Sequence, residues 1–321
     1  MTDRKRVFLI DTDLGVDDSI ALLMALADPS IEIRALFTVH GNTKIEQVNR
    51  NVRQVLEYTN CELPIYPGSA MPLHAQPLEP VEIMGKDGLG NVSYELPEPK
   101  MELQDKHAAL VMVDLINEAH GAGEEITLVM LGPLTNLALA LTLDPEIINK
   151  LPNLVIMGGA FEARGNSSTV AEFNFFADPE AAAVVFRAGF SNVILLPWET
   201  TLKFPLLWDN YGQLCEIGTS RADLMKRITS LTRQFLEGIL KFPGLLLPDP
   251  LAMACALDPS IIMNEVHIHS SIELAGKIGR GLLACDWNGI NQAKPNVHIV
   301  TEIDSERLFN RLQSCLKKGG G

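Results

Sequence analysis

The sequence predicts a single α/β domain in which helices flank a mostly parallel central sheet. Apolar segments of strand length alternate with helical segments through much of the chain, which is the order of elements typical of such sheets. Residues 7–10 are apolar without alternation, as expected of a parallel strand buried on both faces. No internal repeat or low-complexity linker divides the 321 residues, so we expect one domain over residues 1–321.

Each predicted element follows from a local pattern. After the first strand, a glycine turn leads into a short helix that begins near Asp17 and ends before Pro29, because proline restricts the residue preceding it. Further strands are predicted over residues 31–39, 125–131, 154–157 and 193–196, and helices over 44–59, 134–143 and 179–188. Residues 221–240 are predicted to be mainly helical, residues 261–300 to form strands with turns, and residues 305–316 to form the last helix.

The proline-rich segment 64–99 is the clearest loop candidate. It is too long for a simple connection between two elements, and long loops of this kind often close over a bound ligand. We therefore treat it as a candidate lid.

Composition and charge exclude several classes of function. A hydrophobic content of 47% supports a large buried core. The net charge of −14 opposes binding to a phosphate backbone, so we expect no nucleic-acid partner. The five cysteines are scattered, which favours reduced thiols in the cytoplasm over disulfides or a zinc site. We expect no signal peptide and no membrane span, and a disordered tail over residues 317–321.

Four carboxylates, those of Asp11, Asp13, Asp17 and Asp18, lie within eight residues at the end of the first strand. Charges this close repel one another, and burying them requires a cation or protonation. Asp17 and Asp18 are also suited to cap the following helix, but a cap does not account for the other two. Oxygen ligands suit Ca²⁺ or Mg²⁺ better than zinc. The pattern therefore predicts a site for a hard cation.

Polar residues and glycines also follow the other predicted strands. In open parallel sheets, ligands bind outside the carboxyl ends of the strands, so these segments should meet at one edge. They are residues 40–42, 131–135, 157–159 and 197–199. Each one alone is compatible with ordinary turn chemistry, but together they predict a ligand site at the C-terminal ends of the strands.

The segment from Asp11 to Asp18 closely resembles the DxDxGxDD signature of the nucleoside hydrolases. Further segments resemble that family along nearly the whole chain, namely residues 41–42, 132–136, 157–159, 165–166, 171–174, 178–182 and 249–250. The resemblance implies cleavage of the N-glycosidic bond of a ribonucleoside to ribose and free base by a Ca²⁺-activated water. It also implies a role in nucleoside salvage, a small-molecule nucleoside as the partner, and assembly into homo-dimers or tetramers.

The resemblance implies a role for each matched residue. Asp13 would be the general base and also a metal ligand. The other metal ligands would be Asp18, Asp249 and the main-chain carbonyl of Leu131. The ribose would be held by Asp17, Asn42, Asn166, Glu172, Asn174 and the main chain near Met157. Asp11 would orient the metal ligands from behind them.

The part of the site that would bind the base departs from better-known members of the family. Inosine–uridine-preferring relatives have a histidine immediately before the last metal aspartate, where this sequence has Pro248. Many members also have a histidine where this sequence has Met84. Neither Pro248 nor Met84 can give a proton to the leaving base.

Other residues are candidates to bind or protonate the base. Trp198 and Glu199 follow a predicted strand, so Trp198 is a candidate to stack on the base and Glu199 to donate a proton. The alternative is that Trp198 is a core residue and Glu199 caps a helix. The weaker candidates are His40, Lys86 and Asp87.

Two other functions are compatible with the residues. Because a proton donor is missing at Pro248 and Met84, the chain is also compatible with a ribose- or nucleoside-binding protein with weak or lost hydrolysis. A phosphatase would use Asp11 as nucleophile and Asp13 as acid and base. It would also need a lysine near the phosphate, and the segments after the strands contain no clear lysine.

Overall fold

An eight-stranded sheet forms the centre of the structure, a computed structural model that describes residues 5–74 and 82–318. The strands are β1 (Arg6–Thr12), β2 (Ile31–Thr38), β3 (Ile65–Pro67), β4 (Ile126–Met130), β5 (Asn153–Met157), β6 (Val193–Leu196), β7 (Leu206–Leu207), β8 (Gly244–Leu245), β9 (Ile262–Ile268), β10 (Ser270–Ile272), β11 (Leu283–Cys285) and β12 (Val297–Ile303). The α-helices are α1 (Val16–Ala27), α2 (Ile45–Tyr58), α3 (Ala108–Gly121), α4 (Thr135–Leu143), α5 (Phe173–Ala177), α6 (Pro179–Ala188), α7 (Trp198–Lys203), α8 (Trp208–Cys215), α9 (Ser220–Ile228), α10 (Ser230–Arg233), α11 (Pro248–Leu257) and α12 (Ser305–Lys317).

The order of the strands confirms the predicted parallel sheet. The large sheet runs β3-β2-β1-β4-β5-β6-β12-β9. All neighbouring strands in it are parallel except β9, which pairs antiparallel with β12 at one edge. The strand pairs β7–β8 and β10–β11 form two small antiparallel sheets. Because β1, β2, β4, β5 and β6 share one direction, their carboxyl ends lie at the same edge.

Hydrophobic layers cover both faces of the sheet. Along β1, Phe8 and Ile10 belong to one buried cluster and Val7 and Leu9 to the other, as the two-residue period of a strand requires. The first cluster contains apolar residues of α1, α2, α9, α11 and α12, and the second those of α3, α4 and α6. Fold class and helix-covered sheet are therefore as predicted.

Residues 221–240 are mainly helical, as predicted, and comprise α9, α10 and a π-helical turn over 234–239. Between α9 and α10, the Thr229 hydroxyl donates to the carbonyl of Met225. Two other predicted boundaries were wrong. Segment 64–99 is not a loop throughout, because residues 65–67 form β3 against β2. The last helix extends to Lys317, so the predicted tail over 317–321 began one residue too early. Lys318 follows the helix, and residues 319–321 lie outside the described residues.

The remaining part of segment 64–99 includes a short 3₁₀ turn over Glu82–Met84. Residues 75–81 of this segment lie outside the described residues, and its role as a lid stays a prediction. Over residues 5–74 and 82–318, no helix has both the length and the apolar character needed to cross a bilayer. All five cysteines have free thiols.

Candidate active site

A cavity of about 520 Å³ opens at the carboxyl ends of the parallel strands and collects most of the predicted site residues. The metal and ribose candidates that line it are Asp13, Asp17, Asn42, Leu131, Met157, Asn166, Glu172, Asn174 and Asp249. Two of the residues considered for the base, Met84 and Trp198, line it as well. Asp11, Asp18 and Glu199 do not belong to this lining.

The acidic cluster forms where β1 passes into α1. Helix α1 begins at Val16, after Gly15 as N-cap. The carboxylate of Asp18, in the first turn, accepts hydrogen bonds from the amide of Gly15 at 2.9 Å and the hydroxyl of Thr12 at 2.5 Å. Asp18 thus caps its own helix while its carboxylate stays next to Asp17 and Asp249. Carboxylate oxygens of Asp17, Asp18 and Asp249 lie within 4.8 Å of one another.

Helix α11 brings Asp249 to this cluster from a distant part of the chain. The helix begins at Pro248, with Leu247 as N-cap. Proline suits this first position because no hydrogen-bonding N–H is needed there. Asp249 is therefore a residue of the first turn and not a cap, and its side chain is buried.

Asp13 is held by the neighbouring turn. Its Oδ2 accepts a hydrogen bond from the main-chain amide of Asn42 at 2.6 Å. The amide side chain of Asn42 in turn donates to the carboxylate of Asp18 at 3.1 Å. The turn after β2 therefore connects two of the predicted metal ligands, a connection that only the fold creates.

Burial and mutual repulsion strongly raise the pKa values of the acids in this site. Burial, followed by repulsion from Asp18, raises the pKa of Asp13 and of Asp249 well above the usual value, and that of Asp17 to about 7. Oδ1 of Asp17 is buried and has no hydrogen-bond partner. A buried oxygen without a donor, in an all-carboxylate set, fits a hard divalent cation such as Ca²⁺ or Mg²⁺. The cluster is thus a candidate metal centre.

Asp11 lies beneath the cluster. Its Oδ2 accepts a hydrogen bond from the amide of Asn136 at 2.7 Å, and the same amide donates to the carbonyl of Thr38. Burial raises the pKa of Asp11 to about 8, although the Asn136 bond acts in the opposite direction. A phosphatase would need Asp11 as a nucleophile, and this carboxylate does not line the cavity. Its position instead matches a residue that supports the strand end.

Glu172 and Asn174 bind the ends of β4 and β5 together. The carboxylate of Glu172 accepts hydrogen bonds from main-chain amides of Gly159 and Asn174, each at 2.8 Å. Burial raises the pKa of Glu172 to about 7 despite these bonds. The side-chain amide of Asn174 donates to the carbonyls of Leu131, at 2.8 Å, and Met157, at 3.2 Å. Because a carbonyl oxygen has two lone pairs, that of Leu131 can still accept a cation.

A second set of the residues that line the cavity is apolar, and the part of the cavity that they form is called its apolar end. It is lined by Ile83, Met84, Trp198, Phe235, Leu236, Leu240, Leu246 and Pro248. The hydroxyl of Thr232 also lines this end and donates to the carbonyl of Ile83 at 3.1 Å. Within the described part of the chain, no titratable side chain lines this apolar end.

Glu199 does not face the cavity. Its carboxylate accepts hydrogen bonds from the main-chain amides of Phe161 and Glu162, at 3.0 and 2.9 Å, and from that of Arg164 at 3.2 Å. These bonds hold the loop after β5, and the interpretation of Glu199 as a proton donor to the base is wrong in this geometry. Trp198, the first residue of α7, does line the cavity.

The three weaker candidates also have other contacts. His40 contacts the hydroxyl of Thr135 at 3.0 Å, and that hydroxyl donates to Asp178; burial lowers the pKa of His40 to about 4, so it is neutral. Asp87 is buried, and its carboxylate accepts three main-chain amides of its own loop. Lys86 lies outside the lining of this cavity.

Sequence reasoning missed the supporting roles of Thr12, Asn136 and Asn51. Thr12 and Asn136 bind the carboxylates of Asp18 and Asp11. Asn51, on α2, donates to the main-chain carbonyls of Leu14 and Asp87. Buried amides and hydroxyls require partners, but the burial of these residues is visible only in the fold. The partners of Asn136 and Asn51 are also distant in sequence.

The chain is similar to known proteins along nearly its whole length. The family model described as inosine-uridine preferring nucleoside hydrolase matches residues 8–310. The chain is 32% identical over 316 residues to an inosine-uridine preferring nucleoside hydrolase of Leishmania major, covering 98% of each protein. It is 33% identical over 301 residues to the non-specific ribonucleoside hydrolase RihC of Escherichia coli, covering 94% of each.

A solved structure of an inosine-guanosine nucleoside hydrolase matches with a TM-score of 0.91 and 29% identity, over 98% of this chain and 99% of that one. The parallel sheet, the acidic cluster at its carboxyl edge and these similarities lead to one conclusion. The chain belongs to the nucleoside hydrolase family, whose members cleave the N-glycosidic bond of ribonucleosides.

Proposed function

We propose that this protein is a Ca²⁺-dependent ribonucleoside hydrolase in which Asp13 is the general base. One observation carries the proposal: a single cavity is lined by Asp13, by two acids of the cluster, by all the ribose candidates and by a set of apolar side chains. Asp18 and Asp249 of the cluster, together with Asp13 and the carbonyl of Leu131, would hold the cation, and Asp17, the third acid of the cluster, would lie beside it and bind the ribose. When bound, Ca²⁺ would supply the positive charge that acidifies a water and positions the ribose hydroxyls.

Asp13 accepts the proton of the attacking water in this scheme. Asp13 is buried and lines the cavity, so its carboxylate is held at the place where the attacking water would lie beside the ribose. The amide of Asn42 donates to Oδ2, which leaves Oδ1 as the atom that takes the proton. The fixed carboxylate needs little reorganisation during the reaction.

The residues around Asp13 hold the sugar. We assign the ribose hydroxyls to Asp17, Asn42, Asn166, Glu172, Asn174 and the main chain near Met157. The carboxylates among them also favour the positive charge that develops on the ribosyl ring as the bond breaks. Binding and charge stabilisation thus come from the same side chains.

The base leaves into the apolar end of the cavity. We propose that Trp198 stacks on it and that purine nucleosides are preferred, because a larger ring buries more apolar surface there. Similarity to an inosine-guanosine hydrolase supports this preference. With Pro248 and Met84 at this end, no titratable side chain of residues 5–74 and 82–318 lies there to give the base a proton, and general acid catalysis is typically worth about 10²–10⁴ in rate.

The general base is tested by substitution of Asp13. We expect Asp13→Ala and the nearly isosteric Asp13→Asn to abolish release of reducing sugar from nucleosides. The exposed Asp105 provides a control, because Asp105→Ala removes an acid outside the cavity and should leave turnover unchanged. Turnover near the wild-type rate in Asp13→Asn contradicts the assignment.

The cation is tested by removal and replacement. Protein stripped with a chelator should lose hydrolysis, and Ca²⁺ should restore it. Mg²⁺ is the alternative ion for these oxygen ligands, so recovery with Mg²⁺ alone would reassign the metal. Full activity in the stripped protein contradicts the proposed mechanism.

A second candidate is a nucleoside-binding protein with weak or lost hydrolysis, which Pro248 and Met84 favour. Isothermal titration with ribose and a nucleoside panel, run beside the reducing-sugar assay, separates the two functions. Binding without sugar release supports the second candidate. Release at a rate typical of enzymes, with kcat above about 1 per second, excludes it.

We further propose that the protein acts in the cytoplasm as a homo-dimer or tetramer in nucleoside salvage. The five free thiols support a reducing compartment, and the family resemblance supports the assembly. Light scattering coupled to size-exclusion chromatography measures the mass in solution, and a mass of about one chain would contradict the proposed assembly.

A further inference from the structure

Three metal-binding side chains meet on the antiparallel edge of the sheet. Glu265 and His267 are two residues apart on β9, so both project from the same face of that strand. In the register of β9 and β12, His298 lies directly opposite His267. The strand period and the pairing together put one carboxylate and two imidazoles side by side.

The distances within this group suit a common ligand. Nε2 of His267 lies 2.7 Å from Oε1 of Glu265, and Nδ1 of His298 lies 3.3 Å from the same oxygen. All three ligand atoms lie within 4.8 Å of one another. Ligand atoms about 2.0–2.1 Å from a tetrahedral zinc ion are about 3.3 Å apart. The group therefore needs only small side-chain movements to surround one ion.

The chemistry of the group is different from that of the acidic cluster. Two imidazoles and a carboxylate are typical ligands of zinc and related transition ions, whereas the acidic cluster offers only oxygen. Burial acts to raise the pKa of Glu265, but hydrogen bonds with His267 and His298 oppose it, and the pKa lies below its usual value. The carboxylate is thus charged at neutral pH.

The group is also accessible to an ion from solvent. The side chains of His267, Glu265 and His298 are 51%, 33% and 30% exposed. Glu265 and His298 line a surface cleft of about 480 Å³, and none of the three residues lines the catalytic cavity. An ion here would be separate from the metal of the reaction.

We propose that Glu265, His267 and His298 form a second metal site, which binds a divalent transition ion of the zinc class. Three protein ligands leave one position of a tetrahedral ion open to water or an exogenous ligand. A bound ion would join β9 to β12 and so stabilise the edge of the sheet.

The test uses the full-length protein with the acidic cluster kept in excess Ca²⁺. After removal of other metals, ZnCl₂ is titrated by calorimetry, and the Tm is measured with and without Zn²⁺. We expect one equivalent to bind and to raise the Tm. His267→Ala and His298→Ala should each weaken binding by at least ~10-fold, which is the low end for loss of even an outer partner of a metal ligand.

His269→Ala is the matched control, because His269 follows the same strand but its ring contacts the carbonyl of Lys294. This variant should bind Zn²⁺ like the wild type. Glu265→Gln retains the side-chain size and should also weaken binding, which provides a further variant if a histidine change impairs folding. The proposal is overturned if no saturable binding occurs, or if binding is equal in the wild type and in both histidine variants. Nucleoside hydrolysis is measured in a separate assay. The result for Zn²⁺ binding therefore stands whether or not the proposed hydrolase function is correct.

Discussion

Close packing around the carboxylate of Asp13 leaves no room for a side chain at two neighbouring glycines. A Cβ atom added at Gly41 would lie 2.0 Å from Oδ2 of Asp13, and one added at Gly132 would lie 2.9 Å from Oδ1. Neither glycine has the positive φ that favours this residue type. Glycine is therefore needed at both positions because the main chain touches the carboxylate, and not because of its backbone freedom.

Gly41→Ala should reduce kcat at least ~10²-fold, because the added methyl group displaces the carboxylate and small misplacements of catalytic groups have effects of that size. Hydrolysis of a good nucleoside substrate measures this loss. Gly121→Ala is the control, since a Cβ there meets nothing within 4 Å. Unchanged kcat in Gly41→Ala, with the fold intact, would show that Asp13 has more freedom than the structure describes.

Trp198→Ala should change the preference between purine and pyrimidine nucleosides. Loss of the stacking surface removes about 1 kcal/mol or more from binding of the base, and a purine loses more than a pyrimidine. The ratio of kcat/KM for a purine and a pyrimidine nucleoside measures the effect. Trp287→Ala is the control, because this tryptophan does not line the cavity, and the ratio should be unchanged in it. An unchanged ratio in Trp198→Ala would exclude Trp198 from base recognition.

At the scale of elements, a short loop over residues 85–93 directly follows Met84, which lines the cavity. The buried carboxylate of Asp87 accepts the main-chain amides of Leu89 and Asn91 at 2.8 Å and that of Ser93 at 2.9 Å. The side chain of Asn51 joins this loop to α2. One side chain thus satisfies three main-chain donors and fixes the loop directly after Met84.

Asp87→Ala should destabilise the protein by about 2–5 kcal/mol, because three amides lose their acceptor in a buried setting. It should also raise KM for nucleosides, since the loop adjoins the cavity. Urea unfolding gives the first quantity and initial rates the second. Asp105→Ala, at an exposed position, is the matched control variant and should leave both quantities unchanged. If Asp87→Ala unfolds at the same urea concentration as the wild type, the loop does not depend on this carboxylate.

For the whole molecule, the main electrostatic feature is a set of acids buried in a chain of net charge −14. Burial raises the pKa of Asp11 to about 8 from an ordinary 3.8, and those of Asp17 and Glu172 to about 7. A raised carboxyl pKa means that the fold holds the proton more tightly than the unfolded chain does. In the metal-free protein, these three acids therefore contribute stability that is present in acid and is lost as pH rises from about 4 to about 8.

Chelator-treated protein should thus show a falling Tm between pH 5 and pH 8. Ca²⁺ favours the charged carboxylates and should raise the Tm most at pH 8. Calorimetry with and without the chelator measures both trends, and Asp249→Asn should reduce the response to Ca²⁺. A Tm of the stripped protein that rises over this range would contradict the sign derived from these acids.

The sequence was sufficient for features that depend on local pattern. Apolar periodicity predicted the strands and most helices, and the spacing of the acids predicted an oxygen-rich site at the end of β1. It failed at Glu199, whose carboxylate binds main-chain amides of residues 161–164. It predicted the mainly helical character of residues 221–240 but not where the region divides into α9, α10 and the π-helical turn.

By itself, the sequence determined the fold class, the acidic cluster and the family, since each depends on residue types at fixed spacing along the chain. Only the tertiary structure decided which side chains share a cavity, because α11 brings Asp249 to Asp17 and Asp18 from far along the chain. It also decided that Glu199 turns away from the cavity and that β9 and β12 bring His267 next to His298. Contacts of this kind depend on strand order, register and burial, which bring several elements together. A local sequence pattern describes only one element at a time.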